Sequence, residues 1–323
     1  MRHALVNAAK ILVALVFAGI AIHVLIGEFG LLSADEVMAS LAEIGWGAAG
    51  LMLLATFIAY AAVSTYDAFA LRYAGISLSL RKSTISSTSS YAISNLLGFP
   101  VFTGNAVRYW LFESWGLGAK ETALAALVTT VACNHSLAII AGFSLLLDPA
   151  LIEITGLDPA WGMPIGVVLL AISAALILFA LYGQREIRIW QLHVNRPGPT
   201  LLVQLVVCTI DYAATATVLY IPIGHLFGMD LLSFIALFSI AKTIGIFSNV
   251  PGGLGVFEAI IATAVTDVSV ADLAAALIAY RVIFYLVPFG IAGGALAVHG
   301  LRVASRRNGP RQPLTPSDEK AGR

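Results

Sequence analysis

Long apolar stretches separated by short polar connections occupy most of the chain. About 20 consecutive apolar residues are needed to cross a bilayer core about 30 Å thick. Six stretches meet this criterion, namely residues 8–27, 46–72, 120–147, 162–183, 199–221 and 272–299. The first stretch lacks the small-residue cleavage site of a signal peptide, so we interpret it as a retained helix. The pattern predicts an all-α polytopic membrane protein with about six full spans.

The region 83–116 is apolar overall but contains helix breakers. Gly98 and Pro100 divide it into two short helical patterns, 83–98 and 104–116. At 1.5 Å per residue, an arm of about 16 residues extends about 24 Å, which is short of a full crossing. We therefore predict a broken or re-entrant helical hairpin here, with two ordinary short spans as the alternative.

A second region, 231–266, has the same organisation, with helical patterns at 231–249 and 254–266. The breakers between these patterns are Pro251, Gly252, Gly253 and Gly255. Backbone groups freed by such a break need partners inside the protein or in a water-filled cavity. This broken segment is therefore the strongest candidate in the sequence for a substrate path.

The two hairpins resemble each other, since Ser94 and Asn95 precede the first breakers as Ser248 and Asn249 precede the second. The charge pattern described below requires the first hairpin to open to the cytoplasm and the second to the outside. Similar sequence with opposite entry predicts an inverted repeat, in which broken helices meet near the middle of the membrane.

Charged residues are sorted between the connections. The basic ones lie on alternate connections and are Arg2, Lys10, Arg72, Arg81, Lys82, Arg185, Arg188, Arg196, Arg302, Arg306 and Arg307. The intervening connections carry acidic residues and neither lysine nor arginine. By the positive-inside rule, the basic connections and both termini are predicted to be cytoplasmic.

Composition restricts the class of function. The chain is 59% hydrophobic and 11% charged, whereas soluble domains carry about 25% charged residues. We predict a single transmembrane domain over 1–300 and a disordered basic cytoplasmic tail over 301–323. The sequence shows no nucleophile elbow, Walker loop, dinucleotide fingerprint or metal-ligand spacing, so we expect no cofactor, metal or nucleic-acid partner. Cys133 and Cys208 lie in apolar runs and are interpreted as small buried hydrophobes rather than a disulfide or metal site.

Arg281 lies inside the last predicted span, where an unpaired guanidinium costs about 3 kcal/mol by insertion scales. One interpretation is an ion pair with Glu258 or Asp211 that fixes helix packing. The other is a cationic group that holds a lipid phosphate, and a pair that opens when substrate arrives would serve both roles. Lys242 lies ahead of the second breakers. It either holds an anionic headgroup or has a structural role, extending to the membrane interface or, as we favour, pairing with Glu258.

Arg108 follows the first breakers. Gly104 and Asn105 can begin a helix whose N-terminal amides favour an anionic headgroup near Arg108. The alternative is that Arg108 extends to the membrane interface beside Trp110 and Trp115.

Asp211 is surrounded by apolar sequence on both sides. Its carboxyl group either carries a coupling proton or is hydrogen-bonded for packing. Asp67, Glu113 and His135 are the remaining polar groups that we place inside the membrane. A single intramembrane histidine is more often a packing or cavity residue than a metal ligand.

The motif SNVPGGLGVFEA at 248–259, followed by YRVIFYLVPF at 280–289, resembles a known family. It is similar to the lysylphosphatidylglycerol synthase transmembrane region, the flippase half of the bacterial multiple peptide resistance factor. The resemblance extends from about Arg81 to Ala297. Asn105 is a departure, because the family usually has an acidic residue there, before the arginine that corresponds to Arg108.

The resemblance implies lipid translocation in a bacterial inner membrane. It assigns cavity and breaker positions to Arg108, Pro251, Gly252, Gly253, Glu258 and Arg281. The family's soluble lysyltransferase domain has no counterpart here, so we expect no aminoacyl transfer. The alternatives are a non-transporting accessory or scaffold protein of a lipid, hopanoid or glycolipid pathway and, less favoured, an intramembrane lipid-modifying enzyme with Glu258 or Asp211 as general base. The expected partners are a lipid with a polar headgroup, a separately encoded lipid-synthesis enzyme and a second copy of the chain.

Overall fold

The computed structural model describes residues 34–97, 102–182, 186–189, 192–195, 198–224, 226, 228–247, 256–265 and 268–307. The α-helices in this part of the chain are α1 (Ala34–Val63), α2 (Tyr66–Arg72), α3 (Leu80–Leu97), α4 (Thr103–Ser114), α5 (Ala119–Leu147), α6 (Gly162–Tyr182), α7 (Pro199–Ile223), α8 (Leu231–Phe247), α9 (Val256–Ala264), α10 (Val270–Arg281) and α11 (Val287–Arg307). Two short 3-10 helices, Pro149–Thr155 and Pro159–Trp161, connect α5 to α6, and a π-helical turn, Val282–Leu286, joins α10 to α11.

Five helical segments are long and apolar enough to cross a membrane, which confirms the prediction of a helical membrane protein. They are Ala42–Arg72, Ala119–Leu147, Pro159–Tyr182, Pro199–Ile223 and Val270–Leu301. These segments coincide with the last five predicted spans. The first predicted span, 8–27, lies outside the described residues.

The predicted span 46–72 begins earlier than expected and is not one straight helix. α1 begins at Ala34 and bends at Gly45, where the backbone φ of 70° is readily available only to glycine. It ends at Val63, and α2 begins at Tyr66. The break matters because it presents the first turn of α2 to the neighbouring helix α3.

The predicted hairpin at 83–116 consists of α3 and α4, with Gly98 and Pro100 outside the described residues. The description of this region as apolar is wrong for α3. Its buried positions are mostly serines, namely Ser83, Ser86, Ser87, Ser89 and Ser90. Buried hydroxyl groups are tolerated where they find hydrogen-bond partners, and several of these bond to α2.

The second predicted hairpin consists of α8 and α9. Its breakers, Pro251, Gly252, Gly253 and Gly255, lie outside the described residues, as do Ser248 and Asn249. α9 has 9 residues, which corresponds to about 14 Å and is too short to cross a bilayer. It is also shorter than the predicted pattern 254–266.

The connection between α6 and α7 contains two strands, β1 (Glu186–Ile189) and β2 (Leu192–Asn195), which pair antiparallel. The register places Glu186 opposite Asn195. The all-α prediction is therefore incomplete at this point. An open two-stranded ribbon is compatible with a membrane protein here because the connection lies beyond the apolar helices, where water can satisfy its edges.

The main core lies around α7, which packs against α1, α5, α8 and α10. Small buried residues such as Ala55, Ala59 and Ala216 allow the α1 and α7 backbones to approach closely. Phe238 and Phe284 fill the space between α8 and the π turn. This core holds the polar groups of α2, α3, α7 and α8 in fixed positions inside the protein.

Candidate functional site

Asp67 and Arg108 form a buried ion pair between α2 and α4. The Arg108 Nε atom lies 2.9 Å from Asp67 Oδ1, and the two side chains are 9% and 0% exposed respectively. Arg108 also donates from Nη1 to Asn105 Oδ1 at 2.7 Å. The guanidinium therefore points into the protein, and the alternative that it extends to the membrane interface is not what the structure shows.

Serines of α3 complete this site. Ser86 Oγ donates to Asp67 Oδ2 at 2.5 Å, and Ser87 Oγ accepts from the Asp67 backbone N–H at 3.0 Å. Ser83 Oγ accepts from the Ala68 N–H at 3.0 Å. The first amides of a helix have no partner within the helix, and Thr65 at the N-cap makes no side-chain cap here. The α3 serines therefore act as the cap of α2 and fix the position of the Asp67 carboxylate.

Gly104 lies in the first turn of α4 and not in the break between α3 and α4. A Cβ atom added there would be 3.1 Å from the Ser90 carbonyl oxygen and 3.2 Å from Ser94 Cβ. The glycine thus permits close contact between α3 and α4. This contact sets how deeply Arg108, one turn further along α4, enters the protein.

Asp211 on α7 is the centre of a second polar cluster and is 1% exposed. Its carboxylate accepts from the Tyr66 hydroxyl at 2.8 Å and from the Tyr91 hydroxyl at 3.3 Å, whereas the Thr215 hydroxyl donates to the Asp211 backbone carbonyl at 2.7 Å. The two tyrosine donors agree with the interpretation of Asp211 as a hydrogen-bonded packing residue. The same contacts are compatible with proton exchange along the hydroxyls.

Lys242 on α8 faces the Asp211 cluster. Its Nζ atom lies 5.0 Å from the centroid of the Tyr212 ring and 5.7 Å from that of Phe238, within cation–π range. The lysine and Asp211 also interact electrostatically. The structure thus places Lys242 near Asp211. The prediction that Lys242 pairs with Glu258 is wrong, because Glu258 forms its ion pair with Arg281.

Arg281 and Glu258 form an ion pair between the end of α10 and the first turn of α9 through Nη2 and Oε1. Their side chains are 14% and 20% exposed, so this pair is more accessible than Asp67–Arg108. Of the two carboxylates considered for Arg281 from the sequence, the structure selects Glu258. The ion pair predicted for Arg281 is therefore present in the structure.

The π turn begins directly after Arg281. Pro288 has no N–H and cannot donate to the Phe284 carbonyl as an α-helix requires. The Tyr60 hydroxyl donates to that carbonyl at 3.4 Å, a long hydrogen bond. π turns of this kind are frequent at functional sites because one extra residue in the turn changes the direction of the side chains before it.

The first two clusters are joined through adjacent residues. Tyr66 and Asp67 are neighbours on α2, yet Tyr66 contacts Asp211 whereas Asp67 contacts Arg108. On α3, Ser86 belongs to the first cluster and Tyr91 to the second. The Tyr91 ring also contacts Phe284 in the π turn, with centroids 6.4 Å apart. The polar residues therefore form one continuous region rather than isolated sites.

No family model matches the sequence. The chain is 32% identical over 222 residues to a protein of Synechocystis sp. described as uncharacterized protein slr0712, and the alignment covers 68% of each chain. The chain belongs to the family of slr0712. The description of this relative names no activity.

In this member of the slr0712 family, the predicted site residues Arg108, Lys242, Glu258, Arg281 and Asp211 all carry polar or charged contacts inside the protein. Sequence reasoning missed the role of Asp67, which it noted only as an intramembrane polar group. The signal was present in the run of serines and threonines at 83–90, because such a run in a membrane helix needs polar partners. Glu113, by contrast, is exposed near the end of α4.

Cys133 on α5 and Cys208 on α7 are free thiols whose Sγ atoms are 3.5 Å apart. Cys208 is buried and Cys133 is half-buried, which agrees with the interpretation as small hydrophobes, but the sequence did not indicate that they touch. Among the described residues, no group of three His, Cys, Asp or Glu side chains is placed to hold a metal ion.

Proposed function

We propose that this chain translocates the polar headgroup of a membrane lipid between leaflets, with the acyl chains remaining in the bilayer. Two arginines carry the proposal. Arg108 lies on the first hairpin, and Arg281 lies at the end of α10, directly after the second hairpin. Arg108 pairs with Asp67 and Arg281 pairs with Glu258, and all four side chains are at most 20% exposed.

Buried ion pairs are a poor way to stabilise a membrane protein. Desolvation of both charges cancels much of their attraction, and apolar replacements of similar volume are often as stable. Intramembrane charges therefore indicate substrate or ion pathways by default. Two such pairs, together with the buried Asp211 and the half-buried Lys242, support a polar pathway through the protein.

The guanidinium groups suggest the chemistry of the substrate. Arginine binds phosphate oxygens through two parallel hydrogen bonds, a geometry that Glu258 now occupies in part at Arg281. We infer that a lipid phosphate competes with Glu258 for Arg281. The more accessible pair would open first, and Asp67–Arg108 would form the deeper or later site.

The proposed architecture is an inverted repeat of the α3–α4 and α8–α9 hairpins, which enter from opposite sides of a bacterial inner membrane. Both termini are proposed to be cytoplasmic, on the basis of the distribution of lysine and arginine. In such transporters the site lies where the repeats meet, and access alternates between leaflets. Tyr91 contacts Asp211 on α7 and Phe284 in the π turn, so the first hairpin packs against the segments that precede and follow the second hairpin.

The experiment is a leaflet-exchange assay in liposomes that contain purified protein and a trace of headgroup-labelled lipid. Anionic, aminoacylated, glycosylated and zwitterionic lipids are tested in parallel, and a membrane-impermeant quencher reports the fraction in the outer leaflet. Wild-type protein should accelerate exchange of one class, and Arg281→Gln should lower the rate at least about tenfold, the effect of losing about 1.4 kcal/mol of binding.

Arg72→Gln is the matched control, because Arg72 is an exposed arginine near the end of α2. It should exchange lipid at the wild-type rate. Absence of exchange by wild-type protein for every class would overturn the proposal in favour of an accessory or scaffold protein. A change in lipid mass during the assay would instead indicate an enzyme.

A further inference from the structure

The carboxyl group of Asp211 differs in its partners from those of Asp67 and Glu258. The latter two are each bonded to an arginine, which keeps its positive charge at any physiological pH. Asp211 is 1% exposed and lies at the middle of the span Pro199–Ile223. In the part of the chain that the structure describes, it forms no ion pair. No permanent positive charge therefore holds this carboxyl group in its ionised form.

The hydrogen-bond donors around the Asp211 carboxyl group are neutral. The Tyr66 hydroxyl donates to it at 2.8 Å and the Tyr91 hydroxyl at 3.3 Å. A phenolic hydroxyl both donates and accepts hydrogen bonds. It serves as a donor to the carboxylate and, after rotation of its hydrogen, as an acceptor for the protonated carboxyl group. These surroundings accommodate both forms of Asp211, as a residue that gains and loses a proton requires.

Lys242 on α8 is the cation that faces Asp211. Its side chain is half-buried, and its Nζ atom lies 5.0 Å from the centroid of the Tyr212 ring. It interacts electrostatically with Asp211, although none of the described ion pairs joins the two residues. A positive charge here repels a sodium ion that would bind beside Asp211. The site therefore favours a proton over a metal cation.

The remaining titratable side chains around Asp211 are tyrosines and thiols, which are neutral near pH 7. α6, which also packs on α7, carries only the exposed Tyr182. Asp211 and Lys242 are thus the two groups of this cluster that are ionised in water at neutral pH. The neutral groups, on the helices next to α7 and on α7 itself, are Tyr60 (α1), Tyr66 (α2), Tyr91 (α3), Cys133 (α5), Tyr280 (α10), Cys208 and Tyr212.

Asp211 is connected to the Arg108 site through α2. Tyr66 and Asp67 are consecutive residues in the first turn of this helix, and they bond to Asp211 and Arg108 respectively. A lipid phosphate that replaced Asp67 at Arg108 would move this turn and withdraw the Tyr66 hydroxyl from Asp211. Hydrogen-bond donors stabilise the ionised form of a carboxyl group, so loss of this donor would promote uptake of a proton. Binding of the lipid and protonation of Asp211 would thereby be linked.

We propose that Asp211 binds the proton that couples lipid movement to a proton gradient, with one proton carried per lipid in the same direction. This inference rests on the proposed translocation of a lipid headgroup. The proton comes from water on the side to which the pathway is open and forms an O–H bond on the Asp211 carboxylate. It returns to water on the other side when Asp67 binds Arg108 again. A proton gradient would therefore drive the lipid into the leaflet that faces the more alkaline compartment.

The test repeats the leaflet-exchange assay with the same four classes of labelled lipid and a pH difference of about one unit across the liposome membrane. Potassium on both sides with valinomycin holds the membrane potential at zero, and protein-free liposomes report the response of each lipid by itself. One proton per lipid predicts about tenfold more labelled lipid in the leaflet on the alkaline side than in the other. The direction should reverse with the pH difference, and a sodium gradient at equal pH should produce no accumulation.

Asp211→Asn keeps the size of the side chain but removes the carboxylate that binds the proton. This variant should let labelled lipid reach equal amounts in the two leaflets whatever the pH difference. Thr217→Val is the matched control on α7, because the Thr217 hydroxyl donates to the Ala213 carbonyl of its own helix at 2.7 Å. It should accumulate lipid as the wild-type protein does.

The outcomes separate this inference from the proposed function. Exchange by wild-type protein that does not respond to the pH difference would overturn the coupling and leave the translocation intact, even if Asp211→Asn failed to fold. Accumulation driven by the sodium gradient would overturn the assignment of the proton. Accumulation by a folded Asp211→Asn variant would overturn the role of Asp211. Absence of exchange by wild-type protein with or without a gradient would overturn both proposals.

Discussion

The Arg108 Nε atom lies 2.9 Å from Asp67 Oδ1, although 41 positions separate the two residues in the chain. Asn105 stands at the position where the family resemblance leads us to expect an acidic residue. Its side-chain oxygen accepts a second hydrogen bond from the same guanidinium. The negative charge at this site is thus supplied by α2 rather than by α4. The carboxylate that pairs with Arg108 therefore comes from a different helix and not from the local motif.

We expect Asp67→Asn and Arg108→Gln each to destabilise the protein by about 3–5 kcal/mol, because either change leaves one buried charge without its partner. The double variant should be more stable than the sum of the two losses predicts, since it leaves neither charge behind. Thermal unfolding of purified protein in detergent measures all three. Arg72→Gln, at an exposed arginine near the end of α2, is the control. Additive losses would show that the two side chains are not paired.

The Arg281–Glu258 pair should tolerate exchange of its charges. Arg281→Glu alone brings two carboxylates together and is expected to lower the unfolding temperature, whereas Arg281→Glu with Glu258→Arg should restore most of the loss. The loss of stability from Arg281→Glu should be smaller than the losses at Asp67–Arg108. The Arg281 and Glu258 side chains are 14% and 20% exposed, so solvent weakens their attraction. No recovery in the double variant would argue against direct contact.

The two thiols allow a direct check of the packing of α5 on α7. Cys133 and Cys208 have Sγ atoms 3.5 Å apart, so a short thiol-specific cross-linker or mild copper-catalysed oxidation should join them within one chain. Proteolysis followed by mass spectrometry then finds one linked peptide pair. Cys133→Ser and Cys208→Ser should each abolish the link. Links only between different chains would contradict the helix arrangement.

Gly166→Ala should destabilise the protein by about 1–3 kcal/mol, because the new methyl group meets backbone at the α5–α6 crossing. The nearest atom is the Gly142 carbonyl oxygen at 2.9 Å, which cannot move without moving the helix. Gly293→Ala in α11 is the matched control, since nothing lies within 4 Å of its added Cβ. That variant should be neutral or slightly stabilising through its better helix propensity. Equal unfolding temperatures for the two variants would contradict the close crossing.

The first turn of α8 should lose protection in acid. Asp230 accepts from the Ser233 hydroxyl and from the Ser233 and Leu232 amides, and these hydrogen bonds lower the pKa of its carboxyl group below the usual value. A lowered pKa in the folded state means that the cap contributes fully above the usual carboxyl pKa and is lost as the pH falls through the folded-state pKa. Amide exchange at Leu232 and Ser233, corrected for intrinsic rates, measures this loss. Asp230→Asn keeps an acceptor oxygen without titrating, so its protection should not change with pH in this range.

The membrane helices could be predicted from the sequence because the bilayer imposes a simple rule of length and apolarity. The segments at 120–147, 162–183 and 199–221 differ from α5, α6 and α7 by no more than two residues at either end. The prediction was less accurate for segments whose structure does not depend on length and apolarity. Length and helix breakers alone predict an apolar helix at α3, where the serines carry the missing information, and the strands after α6 lie outside the apolar spans.

The candidate site was predictable only as a set of residues. The cost of an intramembrane charge identified Arg108, Lys242, Asp211, Glu258 and Arg281, since that cost depends on the residue type and its apolar surroundings. Which charges meet was not predictable in the same way. The sequence suggested Glu258 as the partner of Lys242, and it assigned no role to Asp67.

The sequence by itself determined that the protein lies in a membrane, where its helices run and which residues are expensive to bury, because these properties depend on composition along the chain. Tertiary structure decided the pairing of Asp67 with Arg108 and of Glu258 with Arg281, and the contacts of Tyr66 and Tyr91 with Asp211. Those pairs join different helices, so they depend on crossing points, on the close approach at Gly104 and on the π turn before Pro288. Such contacts follow from how helices pack in three dimensions, and local sequence does not specify them.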